Sequence, residues 1–78
     1  MPTAYVLVNT EPEVEEEFLE AVRKIPGVVE AYSLYGIYDF IVKIQVDTVE
    51  KLKETITWSI RRLPRIKSSV TMMVMEEK

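Results

Sequence analysis

Residues 35–40 of this 78-residue chain bring together side chains that could bind a small molecule. They read Tyr-Gly-Ile-Tyr-Asp-Phe, so a single carboxylate, Asp39, lies between aromatic side chains at the start of an apolar run. Two interpretations are open. Asp39 bonds nearby N–H groups in an Asx-type turn, or it helps to form the rim of a site for a zwitterion. A free amino acid needs one acceptor for its ammonium group and several donors for its carboxylate.

Several other chemistries are excluded by composition. The chain has no His and no Cys, which removes histidine-based nucleophilic catalysis, disulfides and thiolate metal sites. The glycines are Gly27 and Gly36, too few for a phosphate-binding P-loop. The RNP1 pattern of RNA-binding modules and the C-x-x-C of metallochaperones are also missing. We therefore expect no catalytic residues, no cofactor and no enzymatic activity.

Two sets of charged residues have an ordinary explanation as solvated surface. The acidic set is Glu11, Glu13, Glu15, Glu16, Glu17 and Glu20, and the basic set is Arg61, Arg62, Arg65 and Lys67. The acidic spacing spreads carboxylates around the solvated side of a helix, so we expect no metal site. The basic set lies near a helix C-terminus, where cations are favoured.

Length and charge predict a single domain over residues 1–78 that associates with copies of itself. A domain this small has a thin stability margin, and without disulfides or metal, oligomerisation remains to strengthen it. The net charge of −3 disfavours a nucleic-acid partner. We expect no signal peptide, no membrane contact and a cytoplasmic location. Asn9 and Gln45 are the only side-chain amides, a bias that favours a thermophilic source.

A weak internal repeat organises the chain into two halves. When Val6 is placed on Ile44, Phe18 falls on Ile56, and each half reads strand, helix, Pro-containing turn, strand. The predicted strands are residues 4–8, 28–35, 39–46 and 66–75, followed by a charged tail at 76–78. The predicted helix caps are Thr10 for the first helix and Asp47 or Thr48 for the second. The predicted inward stripes are Val14, Phe18, Ala21, Val22 and Ile25, then Val49, Leu52, Ile56, Ile60 and Leu63. Gly36 is expected to allow a tight hairpin.

These elements predict an α+β, ferredoxin-like βαββαβ sandwich: a four-stranded antiparallel sheet with two helices on one face. The uncovered face would carry Tyr5, Leu7 and Ile41, together with one of two alternating sets of the last strand. Those sets are Val70, Met72 and Val74, or Thr71, Met73 and Met75. So much exposed apolar surface favours dimerisation through the open sheet face, the alternative being that the C-terminal strand or tail covers it. Trp58 either lies flat over the helix–sheet edge or forms a second interface between dimers.

The order of these motifs resembles the Lrp/AsnC family, in particular its stand-alone effector-binding (RAM) domain. The resemblance rests on I-P-G-V at residues 25–28, on Y-G-x-Y-D-F-x-V-K-I at 35–44 and on R-L-P-x-I at 62–66. It implies sheet-to-sheet dimers, higher assemblies of dimers, and an amino acid bound between dimers near the G-x-x-D loop. The implied ligand-binding residues are Gly36, Ile37, Tyr38 and Asp39, with Ser69 and Thr71 approaching from a neighbouring subunit. We expect no helix-turn-helix domain of the kind found in full-length regulators, and therefore no direct DNA binding.

The leading hypothesis is thus an amino-acid-sensing, self-assembling regulatory module that modulates transcription or metabolism. Its expected partners are a free amino acid, further copies of itself and full-length Lrp/AsnC regulators. Two alternatives stay open: a small dimeric αβ-barrel enzyme, and a structural oligomerisation module without ligand.

Overall fold

The computed structural model describes residues 1–75, and the predicted charged tail at 76–78 lies outside them. The elements follow in the order β1 (Thr3–Thr10), α1 (Glu15–Arg23), β2 (Val28–Ser33), β3 (Phe40–Gln45), α2 (Val49–Glu54), a π-helical segment (Thr55–Ile60) and β4 (Ile66–Met73). The strands form one sheet in the order β2-β3-β1-β4, with all neighbours antiparallel. The predicted ferredoxin-like βαββαβ fold is confirmed. Within the described residues, no helix is both long and apolar enough to cross a lipid bilayer.

The core lies between the two helices and one face of the sheet. Val6 and Val8 of β1 are fully buried, as are Val42 and Ile44 of β3. These are the sides of the two strands that the sequence repeat predicts to face the core. From the helices, the buried side chains are Phe18, Val22, Leu52, Ile56 and Ile60. The rings of Phe18 and Phe40 pack with their centroids 4.5 Å apart, which ties α1 to the start of β3. The opposite face of the sheet is left without a helical layer.

The predicted cap of α1 is wrong. Thr10 ends β1 instead, where it is buried and pairs with Ile66 of β4. Helix α1 begins at Glu15 after Val14, whose side chain makes no capping hydrogen bond. The longer strand is favoured because its last residues have partners on both sides: β4 on one, and residues 34–39, which join β2 to β3, on the other.

The cap of the second helix is confirmed at Thr48, whose hydroxyl accepts a 3.0 Å hydrogen bond from the Lys51 N–H. The inward stripe differs from the prediction at Val49 and also includes Thr55, whereas Leu63 packs against the core as predicted. Val49 is half exposed, Leu63 is partly buried, and Thr55 takes a buried position that the apolar pattern missed. The Thr55 hydroxyl donates to the Lys51 carbonyl, which makes a polar residue compatible with burial there.

Gly27, not Gly36, is the glycine with an unusual backbone. Gly27 has φ +98°, and a Cβ atom there would lie 2.7 Å from Cγ1 of Val46. Gly36 has no positive φ, and a Cβ atom there would meet nothing within 4 Å. The expected conformational role of Gly36 in the hairpin is therefore wrong, because this longer loop needs no left-handed residue at that position.

Candidate functional site

Asp39 is fixed at the end of the sheet by hydrogen bonds to β1. Its Oδ2 atom accepts a 2.9 Å hydrogen bond from the N–H of Thr10. Its own N–H donates to the Val8 carbonyl at 3.0 Å and to Oδ1 of Asn9 at 3.1 Å. Its carbonyl accepts from the N–H of Leu34 at 2.7 Å, which closes the loop. The carboxylate thus bonds a distant strand rather than its own turn, so its position is set by tertiary structure.

The residues around Asp39 form an exposed apolar tip. We call residues 34–39 the β2–β3 loop. Ile37 is 87% exposed and Tyr35 is fully exposed, whereas Tyr38 and Asp39 are half-buried. Exposed apolar loop residues of this kind are available to a ligand or to another chain.

Three loops meet at this end of the sheet through two consecutive backbone donors, Thr10 at the end of β1 and Glu11 in the β1–α1 connection. The N–H of Thr10 binds the Asp39 carboxylate, and the N–H of Glu11 donates to the Arg65 carbonyl at 3.0 Å. The β1–α1 connection therefore joins the β2–β3 loop to the connection before β4. Glu13 and Arg65, in these connections, have positive φ values of 66° and 70°. Non-glycine residues in this region are uncommon and are held there by their surroundings.

Ser69 and Thr71 do not reach the β2–β3 loop within one protomer. Ser69 pairs with Val8, which also pairs with Phe40, so Ser69 lies two strands away from the residue after Asp39. Two interstrand spacings amount to about 10 Å. Thr71 lies two residues farther along β4, on the same helix-covered side as Ser69. A site that combines both sets would need a second copy, so their joint role stays a prediction.

The open face of the sheet carries a continuous apolar row with one side chain from each strand. Tyr32 pairs with Ile41, Ile41 with Leu7, and Leu7 with Val70. Val70 and Met72 of β4 therefore point outward, as in the first of the two predicted sets, whereas Val74 of that set lies after the end of β4. Tyr32 is 55% exposed and Val70 is 41% exposed.

A second row on this face is more polar. Glu30 pairs with Lys43, Lys43 with Tyr5, and Tyr5 with Met72. The Lys43 ammonium lies 5.9 Å from the centre of the Tyr5 ring, within cation–π range. The open face therefore combines apolar area with a pair of opposite charges that could fix the register of a partner.

The charged sets of the sequence remain at the surface. The glutamates of α1 and its preceding loop are exposed. Among residues 1–75, no group of three or more Asp or Glu side chains is arranged to hold a metal ion. Trp58 is 59% exposed, and the Arg62 guanidinium lies 4.1 Å from the centre of its ring. The indole is open to a partner, but an interface there stays a prediction.

Comparison with known proteins assigns the chain to a family. The sequence model described as Lrp/AsnC ligand binding domain matches residues 3–78. The chain belongs to the Lrp/AsnC family. The match covers the sheet, both helices and the β2–β3 loop, so this Lrp/AsnC domain includes every element that builds the candidate site.

Two relatives place this Lrp/AsnC domain among regulators and among proteins of its own size. It is 36% identical to the transcriptional regulator AzlB of Bacillus subtilis over 76 residues, 94% of this chain and 48% of that protein. It is 42% identical to the hypothetical protein PHS023 from Pyrococcus horikoshii, with a TM-score of 0.90 over 99% of this chain and 93% of that one. The chain thus spans about half the length of the curated relatives that it matches. The amide-poor, charge-rich composition agrees with a relative from Pyrococcus.

A third structure shares the fold at low sequence identity. The transcriptional regulator NMB0573 from Neisseria meningitidis, crystallised as a complex with L-Met, is 18% identical with a TM-score of 0.83. The match covers 97% of this chain and 51% of that one. At this identity the comparison establishes a common fold.

Asn9 and Thr10 are site residues that sequence reasoning missed. The sequence pattern predicts Thr10 as a helix cap and gives Asn9, one of two side-chain amides, no role in the site. The signal that could have found them is the sheet register, because Val8 pairs with Phe40 and so places the next β1 residues beside Asp39. That register is set by the core, not by the loop sequence.

Proposed function

We propose that this regulatory domain senses a free amino acid and responds by changing its state of assembly. The observation that carries the proposal is the Asp39 carboxylate, held by the Thr10 N–H beside an exposed loop. The matching family model is described as a ligand binding domain, and the relatives include a transcriptional regulator and a leucine-responsive regulatory protein. A domain that senses an effector would account for both the ligand-binding description of the family and the regulators among its relatives.

In the proposed site, Asp39 accepts the ammonium group of the effector. A half-buried carboxylate on rigid backbone is a good partner for a cation, since little ordering is needed on binding. The backbone N–H groups of Gly36 and Ile37, both exposed residues, would donate to the effector carboxylate. Ser69 and Thr71 of a neighbouring copy would supply hydroxyl groups. The L-Met complex of NMB0573 makes an amino acid a reasonable first ligand class to test.

The proposed dimer forms through the open face. The apolar row of Tyr32, Ile41, Leu7 and Val70 spans the whole sheet, and burying it between two copies would remove that surface from water. Small domains gain stability from such association, and this chain has no disulfide that could stabilise it instead. Dimers would then associate further near the β2–β3 loop, where Ile37 is exposed.

An effector bound between dimers would shift the assembly equilibrium by its higher affinity for the assembled state. The targets of such a module would be the related full-length Lrp/AsnC regulators, with which it would form mixed assemblies. A net charge of −3 disfavours direct contact with DNA, so the domain would act through protein contacts in the cytoplasm. It would carry out no reaction of its own.

Titration calorimetry with each of the common amino acids tests this proposal. We expect at least one amino acid to bind wild-type protein and to lose affinity in Asp39→Asn, which keeps an acceptor for the Thr10 N–H but removes the charge. Asp47→Asn is the matched control, because it makes the same change at an exposed aspartate outside the β2–β3 loop. If no amino acid binds, the structural oligomerisation module becomes the better description. If an amino acid binds equally to wild type and Asp39→Asn, the proposed site is wrong.

A further inference from the structure

A small apolar cavity opens between α1 and the connection that leads to β4. Its walls are formed by Val14, Phe18, Ala21, Leu63 and Pro64, and its volume is about 70 Å³. Two charged side chains of opposite sign, Glu17 and Arg65, complete the lining. Glu17 and Arg65 are exposed, whereas Val14 and Phe18 are buried. The cavity therefore has an apolar floor and a charged mouth.

The walls of this cavity are held in place by contacts elsewhere in the core. Phe18 packs against Phe40 under the sheet, and the Phe18 N–H donates to the Val14 carbonyl at 2.8 Å. On the opposite wall, the Arg65 carbonyl accepts the Glu11 N–H at 3.0 Å. Sites that are already formed before binding avoid much of the ordering cost of association.

Size limits what the cavity holds. A cavity of about 150 Å³ lined by apolar side chains accepts benzene, and one water needs about 10–15 Å³. A volume of about 70 Å³ therefore suits a group of about three carbon atoms. A branched three-carbon group fits, whereas an aromatic ring does not.

Charge limits the ligand further. Glu17 favours a cationic group at the mouth and Arg65 favours a carboxylate, so an ion of either single sign would meet one repulsive partner. A zwitterion with a short aliphatic chain satisfies both side chains while its chain fills the apolar floor. We infer that this cavity binds a small aliphatic amino acid within a single protomer, at a site separate from Asp39.

This inference goes beyond the proposed function, because it needs neither Asp39 nor a second copy. The competing occupant is an apolar side chain of another copy, such as the exposed Ile37. If the cavity binds an amino acid, a cavity-filling substitution lowers the affinity for that amino acid. If the cavity holds a side chain of another copy, the same substitution lowers the mass of the assembly.

The test uses L-valine as probe, in calorimetry on the Asp39→Asn background, where binding at the β2–β3 loop is removed. We expect L-valine to bind and Ala21→Leu to abolish binding by filling the cavity. Isobutyrate lacks the ammonium group and isobutylamine lacks the carboxylate, so each should bind at least about tenfold more weakly. Phenylalanine should not compete.

Circular dichroism shows whether Ala21→Leu folds, and a second variant tests the cavity if it does not. Glu17→Gln preserves size and should weaken L-valine about tenfold, whereas its matched control Glu16→Gln, outside the cavity lining, should change affinity less than about twofold. The inference is overturned if Ala21→Leu retains full affinity. It is also overturned if L-valine binds wild type but not Asp39→Asn, which would leave the proposed Asp39 site intact. Absence of L-valine binding, with a smaller assembly in Ala21→Leu, would assign the cavity to a second copy.

Discussion

The Oδ2 atom of Asp39 accepts a 2.9 Å hydrogen bond from the N–H of Thr10, a residue 29 positions earlier in the chain. This bond joins the β2–β3 loop to the end of β1. The next N–H, that of Glu11, donates to the Arg65 carbonyl and brings in the connection before β4. A ligand that moves Asp39 would therefore act on all three loops at this end of the sheet.

Replacing Asp39 should separate its structural role from its charge. Asp39→Ala leaves the partly buried Thr10 N–H without an acceptor and should lower the free energy of unfolding by about 1–2 kcal/mol. Asp39→Asn retains an oxygen at that position and should lose less than about 1 kcal/mol. Urea denaturation followed by circular dichroism measures both. Equal losses in the two variants would mean that the hydrogen bond contributes nothing.

Substitution by alanine should destabilise the protein strongly at Gly27 and little at Gly36. Gly27→Ala places a methyl group 2.7 Å from Val46 at φ +98° and should lower the free energy of unfolding by about 2–4 kcal/mol. Gly36→Ala meets no atom within 4 Å at an ordinary φ, so the change should stay within about 1 kcal/mol. Thermal and urea unfolding of the pair tests this. A larger loss in Gly36→Ala would contradict the observed loop geometry.

The proposed dimer depends on the apolar row of the open face. Leu7 lies between Ile41 and Val70, so Leu7→Glu places a charge in the middle of that row. The dimer dissociation constant should rise by about 100-fold, because the charge would be buried without a partner. Sedimentation velocity over a concentration series measures it. Val49→Glu, which changes a half-exposed valine on α2, is the control and should leave the dimer intact.

The cap of α2 gives a local test of the fold. Thr48→Ala removes the hydroxyl that accepts the Lys51 N–H and should lower the free energy of unfolding by about 1 kcal/mol. Thr57→Ala, at an exposed position of the π-helical segment, should change it by less than about 0.5 kcal/mol. Indistinguishable unfolding curves for the two variants would contradict the capping role.

Much of the fold follows from the sequence because burial controls it. The alternation of Val6 and Val8 in β1, and the spacing of Phe18 and Val22 in α1, specify which sides face the core. The residues that departed from prediction are those whose positions depend on distant partners. Thr10 extends β1 because Ile66 and Asp39 lie beside it, and Val49 is exposed although it follows the apolar spacing.

The candidate site is less accessible to sequence reasoning. The sequence identified Asp39 as unusual but could not decide whether its carboxylate bonds its own turn or a distant group. The bond to Thr10 requires the register of β3 against β1, a tertiary feature. Whether Ser69 and Thr71 join Asp39 depends on the packing of separate copies, which one chain does not specify.

The most direct test of the central claim is the mass of the protein by light scattering after size-exclusion chromatography, with and without each common amino acid. We predict a dimer or larger assembly whose mass changes with particular amino acids in wild type and does not change in Asp39→Asn. An assembly of constant mass with every amino acid, or a monomer under all conditions, would contradict the proposal of amino-acid-controlled assembly.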